Sequence, residues 1–141
     1  VKAVVQGLKY GRVVLQYEHF PMLLGRRAAV RLLFDRRVDA AAVTCTLRCV
    51  EETIEVTRDR PGRTSRQYVH DQLYEEQVTV PLALGPDGRQ TARIELQLPD
   101  GDLATRLSVD EPRYWLLEAE AATPGVDLHA RFLLPVYAAW Y

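Results

Sequence analysis

The segment Arg113–Tyr137, RYWLLEAEAATPGVDLHARFLLPVY, decides the fold class of this chain. Apolar residues recur in it at every second position, at Trp115, Leu117, Ala119 and Ala121, then at Leu128, Ala130, Phe132, Leu134 and Val136. Glu118, Glu120, Asp127, His129 and Arg131 fill the gaps. A period of two marks strands with one dry face and one wet face. Thr123-Pro124-Gly125-Val126 supplies the turn, since proline presets φ at the first central position and glycine accepts the positive φ of the next. A loop of two or four residues centred on Pro124-Gly125 sets Ala121 opposite Leu128, Ala119 opposite Ala130, Leu117 opposite Phe132 and Trp115 opposite Leu134. The same register faces Glu118 with Arg131 and Glu120 with His129, pairs that contribute roughly 0.2–1 kcal/mol each. A three-residue loop would slip the pairing by one and set both glutamates against core residues. The even loop is expected.

Upstream, the same reading gives further extended segments. Leu8 to Tyr17 reads as a first strand, broken by His19-Phe20-Pro21. Residues 26–34 alternate, with Arg26, Ala28, Val30, Leu32 and Phe34 on one side and a basic outer face; Asp35-Arg36-Arg37 is a polar turn. From Ala41 to Glu51 the dry set is Ala41, Val43, Cys45, Leu47 and Cys49, and the strand runs on to about Val56. The arginine-rich stretch 57–66, turning at Pro61-Gly62, reads as the exposed tip of a long hairpin. Its return run, Tyr68 to Val80, brings Tyr74, Val78 and Val80 onto the cysteine face together with Glu76, which fits that face poorly. A helix over 69–78, with Val69 and Leu73 at i, i+4, is the competing assignment. Gly85-Pro86-Asp87-Gly88 is a turn, Thr91 to Leu98 alternates again, Pro99-Asp100-Gly101-Asp102 stops it, and Leu103 to Pro112 is an irregular crossing. Seven or eight short strands with no long helix and no repeat predict an all-β, antiparallel two-sheet β-sandwich.

At 141 residues the chain fits one domain, 1–141, with enough bulk for a core without staples. A net charge of −1 supplies no global field for nucleic acid or an anionic surface. The apolar runs are too short to span a bilayer as a helix, and no signal-peptide pattern is present. Because the chain begins with Val1, it is expected to be a piece of a longer protein. Cys45 and Cys49, four residues apart on one strand, would have Cα atoms roughly 13 Å apart, beyond the ~7 Å limit of a disulfide. Two free, buried thiols packing with Trp115, Leu117, Phe132, Leu134 and Leu47 are the expected core, and they suit a reducing compartment.

Trp115-x-Leu117, Pro124-Gly125-x-Asp127 and Phe132-x-x-Pro135-Val136 resemble the closing strands of arrestin-like β-sandwiches. Together with Gly11-x-Val13-x-Leu15, Pro21, Gly25 and the Leu47-x-Cys49-Val50 strand, they are similar in order and spacing to the soluble part of an uncharacterised bacterial membrane-protein family. The resemblance implies an immunoglobulin-like sandwich tethered to membrane helices outside this sequence, with the domain on the cytoplasmic side. It carries over no functional residues. The polar-core charge network of the eukaryotic receptor-binding arrestins has no counterpart here, so their function is not borrowed.

Three constellations carry the chemistry worth weighing. His70, Asp71 and Glu75 form the densest titratable group, but neighbours on a strand point to opposite faces, which argues against a metal or hydrolytic site. Ser65 and Ser108 sit in no nucleophile elbow, and no phosphate-binding glycine loop is present. The arginines of the hairpin tip, Arg58, Arg60, Arg63 and Arg66, suit an acidic or phosphorylated ligand, with a solvated loop as the plainer reading. Edge strands of an open sandwich can accept a partner's strand, and Trp140 and Tyr141 leave two aromatics near the end. The expectation is therefore a non-catalytic protein-interaction or assembly module. It has protein partners or self-association, no nucleic acid, no small-molecule substrate, no metal and no cofactor, with an anion-binding arginine tip as the alternative.

Overall fold

The computed structural model describes residues 3–8, 11–60, 62–107, 110–124 and 127–139. Eleven strands are formed among them: β1 (Ala3–Leu8), β2 (Gly11–Tyr17), β3 (Met22–Leu23), β4 (Arg27–Phe34), β5 (Ala42–Arg60), β6 (Arg63–Pro81), β7 (Ala83–Leu84), β8 (Gln90–Gln97), β9 (Arg113–Ala121), β10 (Leu128–Leu134) and β11 (Val136–Tyr137). A five-stranded sheet in the order β1-β2-β4-β8-β7 faces a four-stranded sheet in the order β10-β9-β5-β6. The short pair β11–β3 is parallel and ties one end of the sandwich together. No helix among the described residues is long and apolar enough to cross a membrane.

The β9–β10 register is the one the alternation demands: Ala121 faces Leu128, Leu117 faces Phe132, and Trp115 faces Leu134. Gly125 and Val126 of the connecting turn lie outside the described residues, as do Ser108, Trp140 and Tyr141. Trp115, Leu117, Cys45, Leu47, Cys49 and Leu134 are fully buried and Phe132 nearly so; they pack against Leu15, Val30, Leu32 and Ile94 of the opposite sheet. Indole nitrogen cannot be buried without a partner, and Trp115 Nε1 donates to the Leu103 carbonyl at 2.7 Å. The irregular crossing thereby becomes part of the core wall, and Thr105 stitches it to β11 through its hydroxyl and its amide.

Three expectations are corrected. The run from Leu8 to Tyr17 is not one strand: β1 and β2 are separate antiparallel strands with Leu8 facing Gly11, a reversal that no proline, asparagine or aspartate announces. Ala41 is exposed at the mouth of the sandwich, one residue ahead of β5. The 57–66 segment is mostly ladder rather than loop, whereas 69–78 is the strand of the main reading and not the competing helix. Both β5 and β6 are 19 residues long, and their ladder continues to an Arg60–Arg63 pair beside Gly62, whose φ is +85°.

Two register shifts make that length possible. Cys49 faces Tyr74 while Val50 faces Gln72, so Leu73 is an extra residue in a β-bulge; a second shift between Thr57 and Arg60 restores the original register. Glu76 does face Leu47, as the alternation implies. It survives there because β6 is an edge strand whose inner face is only partly covered, and the Tyr74 hydroxyl donates to Glu76 Oε2 at 3.1 Å.

Candidate functional site

Pairing of β5 with β9 ends at Glu51–Arg113. Beyond it, residues 52–60 of β5 and their partners on β6 form a two-stranded arm reaching roughly 30 Å past the sandwich at ~3.3 Å per residue. The root is clamped: Arg113 Nε donates to Glu51 Oε2 at 3.1 Å, Arg113 Nη1 donates to the Asp102 carbonyl at 2.7 Å, and Arg106 stands 3.8 Å from Glu51.

The two faces of the arm differ. One carries Thr53, Glu55, Thr57, Ser65, Gln67 and Val69, with the Thr57 and Ser65 hydroxyls 2.6 Å apart. On the other face, Ile54 is opposed to Tyr68 and Val56 to Arg66. Ile54, Val56 and Tyr68 are 46%, 59% and 67% exposed, high values for large apolar side chains in a folded domain. Phe20, Leu107 and Tyr137 are exposed at the same end of the sandwich, whereas only Leu84 is so exposed at the opposite end among the described residues.

Arg58, Arg63 and Arg66 are exposed on this arm, and none has a carboxylate partner among the described residues. Arg60 belongs to the ladder, but its side chain lies outside what the structure describes. The four arginines are thus distributed along the last turns of a ribbon rather than gathered in a loop.

His70, Asp71 and Glu75 do not converge. His70 Nε2 lies 3.2 Å from Glu52 Oε1 across the ladder, Asp71 faces Glu51, and Glu75, on the far side of the bulge, accepts from Gln72 at 2.6 Å. Cys45 and Cys49 are free and buried. Burial pushes their thiols up, to about 12 for Cys45 and about 11 for Cys49. Neither is a thiolate nucleophile near neutral pH.

One cluster was half legible from the chain: the register sets Glu118 against Arg131 and Glu120 against His129, as found, but does not show Arg48 joining them. Glu118, on the outer face of β9, is only 8% exposed. Arg48 Nη1 donates to its Oε1 at 2.5 Å, Arg131 stands 3.8 Å from the same oxygen, and His129 Nε2 lies 3.4 Å from its Oε2. Burial alone would raise the Glu118 carboxyl, but the hydrogen bond with His129 and the charges of Arg48 and Arg131 outweigh it and hold it below the ordinary value. Arg48 reaches Glu118 diagonally, because Thr46 is its direct neighbour, and diagonal reach depends on side-chain length rather than on the alternating pattern. Glu118, Glu120 and His129 bring one ligand atom each within 4.8 Å of one another. The Arg48 guanidinium already supplies the positive charge a metal ion would bring, so the cluster is an ion-pair network.

No protein-family model matches the chain, and no curated protein does. Among solved structures it is similar to that of Spo0M, a sporulation control protein from Bacillus subtilis with an arrestin-like fold, at a TM-score of 0.53 over 90% of this chain. The fold is arrestin-like. Sequence identity with Spo0M is 16%, so the likeness concerns the fold, and this chain spans about half (49%) of that protein.

Proposed function

We propose that this domain is a non-catalytic interaction or assembly module of a bacterial membrane-associated protein, and that the β5–β6 arm is its docking element. The observation that carries the reading is the arm itself. An isolated two-stranded ribbon is marginal in water, yet this one extends past every other strand and holds Ile54, Val56 and Tyr68 in the open. None of that surface contributes to the core, so its cost in solubility is offset only by what it contacts. Similarity to a sporulation control protein agrees with a regulatory rather than a chemical role. Arg58, Arg63 and Arg66, which have no carboxylate partner among the described residues, favour a second reading, an anion-binding arm, over chemistry at His70, Asp71 and Glu75, whose side chains diverge.

The test is a photo-crosslinking residue placed at Gln67 or Ile54 in the protein in its own cells, with Arg131 as a control site on β10. Discrete adducts at the arm positions and none at the control are expected. Equal labelling at all three positions, or none, would remove the arm from the role.

A further inference from the structure

We propose that the arm contacts an anionic lipid surface, with Ile54, Val56 and Tyr68 seated at the headgroup boundary and Arg58, Arg63 and Arg66 on lipid phosphates. The inference rests on the arm being the docking element and names what it docks to. Its basis is the pairing of two features on one ribbon. The apolar face is flanked by guanidinium groups that have no carboxylate partner among the described residues, while the reverse face, Val69 apart, is polar. Amphipathic elements of this composition lie in the membrane interface, held by buried apolar area together with attraction to anionic headgroups. Tyrosine suits the headgroup level, and the guanidinium fork matches phosphate oxygens.

Area argues for lipid over a rigid protein partner. The three apolar side chains expose on the order of 300 Å², below the roughly 450 Å² of apolar area that a stable protein interface buries on each partner. A bilayer requires no matching contour, so a small apolar wedge with a cationic rim suffices. Exposure of Phe20, Leu107 and Tyr137 at the same end places further apolar surface on the side from which the arm projects.

The test is co-sedimentation of the chain with phosphatidylcholine vesicles with and without phosphatidylglycerol. Binding is expected only with the anionic lipid and is expected to weaken as salt rises. At about fivefold per basic residue near such a surface, Arg58→Glu/Arg63→Glu/Arg66→Glu should lower affinity at least a hundredfold. Ile54→Ser/Tyr68→Ser should weaken it more than fivefold in high salt. Arg36→Glu/Arg37→Glu, at the opposite end of the sandwich beside a cleft of about 340 Å³, removes two arginines against the arm variant's three and should bind like the wild type. Thermal melts matching the wild type show that the variants are folded.

Equal loss in the Arg36/Arg37 control would reduce the effect to net charge and overturn the proposal. Displacement by inorganic phosphate beyond that by chloride of equal ionic strength would also overturn it, in favour of a phosphate site. Absent vesicle binding alongside protein adducts at Gln67 would sink the lipid surface and keep the docking arm. Absence of both would sink both.

Discussion

Replacing Glu118 by glutamine keeps the shape of the side chain and removes the charge that Arg48, His129 and Arg131 surround. Hydrogen bonds to charged groups contribute about 1.5–3 kcal/mol. Arg48 keeps about a third of its side chain in solvent, which screens the pair and favours the lower half of that range, about 1.5–2 kcal/mol. For a domain of this size that is a fall in Tm of about 6–8 °C. Arg48→Met should cost a similar amount, and the double variant should recover about 1 kcal/mol of coupling. The pH dependence has a definite sign. Because the Glu118 carboxyl is lowered from 4.5 in the folded state, its contribution is fully present above that unfolded value and is lost as pH falls through the folded one. Wild type and Glu118→Gln should therefore converge in acid. Urea titrations of the four proteins at neutral pH, repeated at the lowest pH where the fold persists, measure all of this. Strict additivity of the two substitutions, or an undiminished gap in acid, would refute the ion-pair account.

Trp115→Phe should cost about 1–3 kcal/mol in urea unfolding, because the Leu103 carbonyl loses the indole donor and keeps only the weak Cys49 thiol at 3.9 Å. Phe132→Ala should cost about 3–5 kcal/mol by the same measurement, the usual penalty for an emptied aromatic site. Cys45 and Cys49 should resist an aromatic disulfide reagent at mildly alkaline pH in the native protein and both react once it is unfolded; fast native labelling would contradict their burial. Gly25→Ala should destabilise more than Gly62→Ala. Both sites have positive φ and carry about 1 kcal/mol of backbone strain on substitution; at Gly25 the new Cβ must also displace the exposed Asp100 carboxylate, whereas at Gly62 nothing lies within 4 Å.

The sheet pairings were legible wherever alternation was strict and a turn was marked. Arg113–Tyr137 gave its register because Pro124-Gly125 fixed the centre and any slip would have set glutamates against the core. The Cys45–Val78 pairing followed in the same way from Pro61-Gly62. Alternation failed at three kinds of feature. A reversal without turn chemistry hid β1 behind β2. An extra residue, Leu73, changed which β6 side chains meet Ile54 and Val56, so the apolar face of the arm was invisible beforehand. A diagonal contact between long side chains joined Arg48 to Glu118. The arginines could be counted in the chain, but their placement on a two-stranded ladder instead of a loop depended on strand pairing that composition does not encode.

Since every ladder bond of the arm outside its clamped root is made between its own two strands, its reach is free to vary without disturbing the sandwich, but only in quanta. Adding one residue to each strand lengthens it by about 3.3 Å and turns the distal side chains over. Adding two to each preserves the facing and extends it by about 7 Å. An engineer wishing to set the stand-off distance of this domain would thus work in steps of about four residues, and any odd step would present the polar side outward.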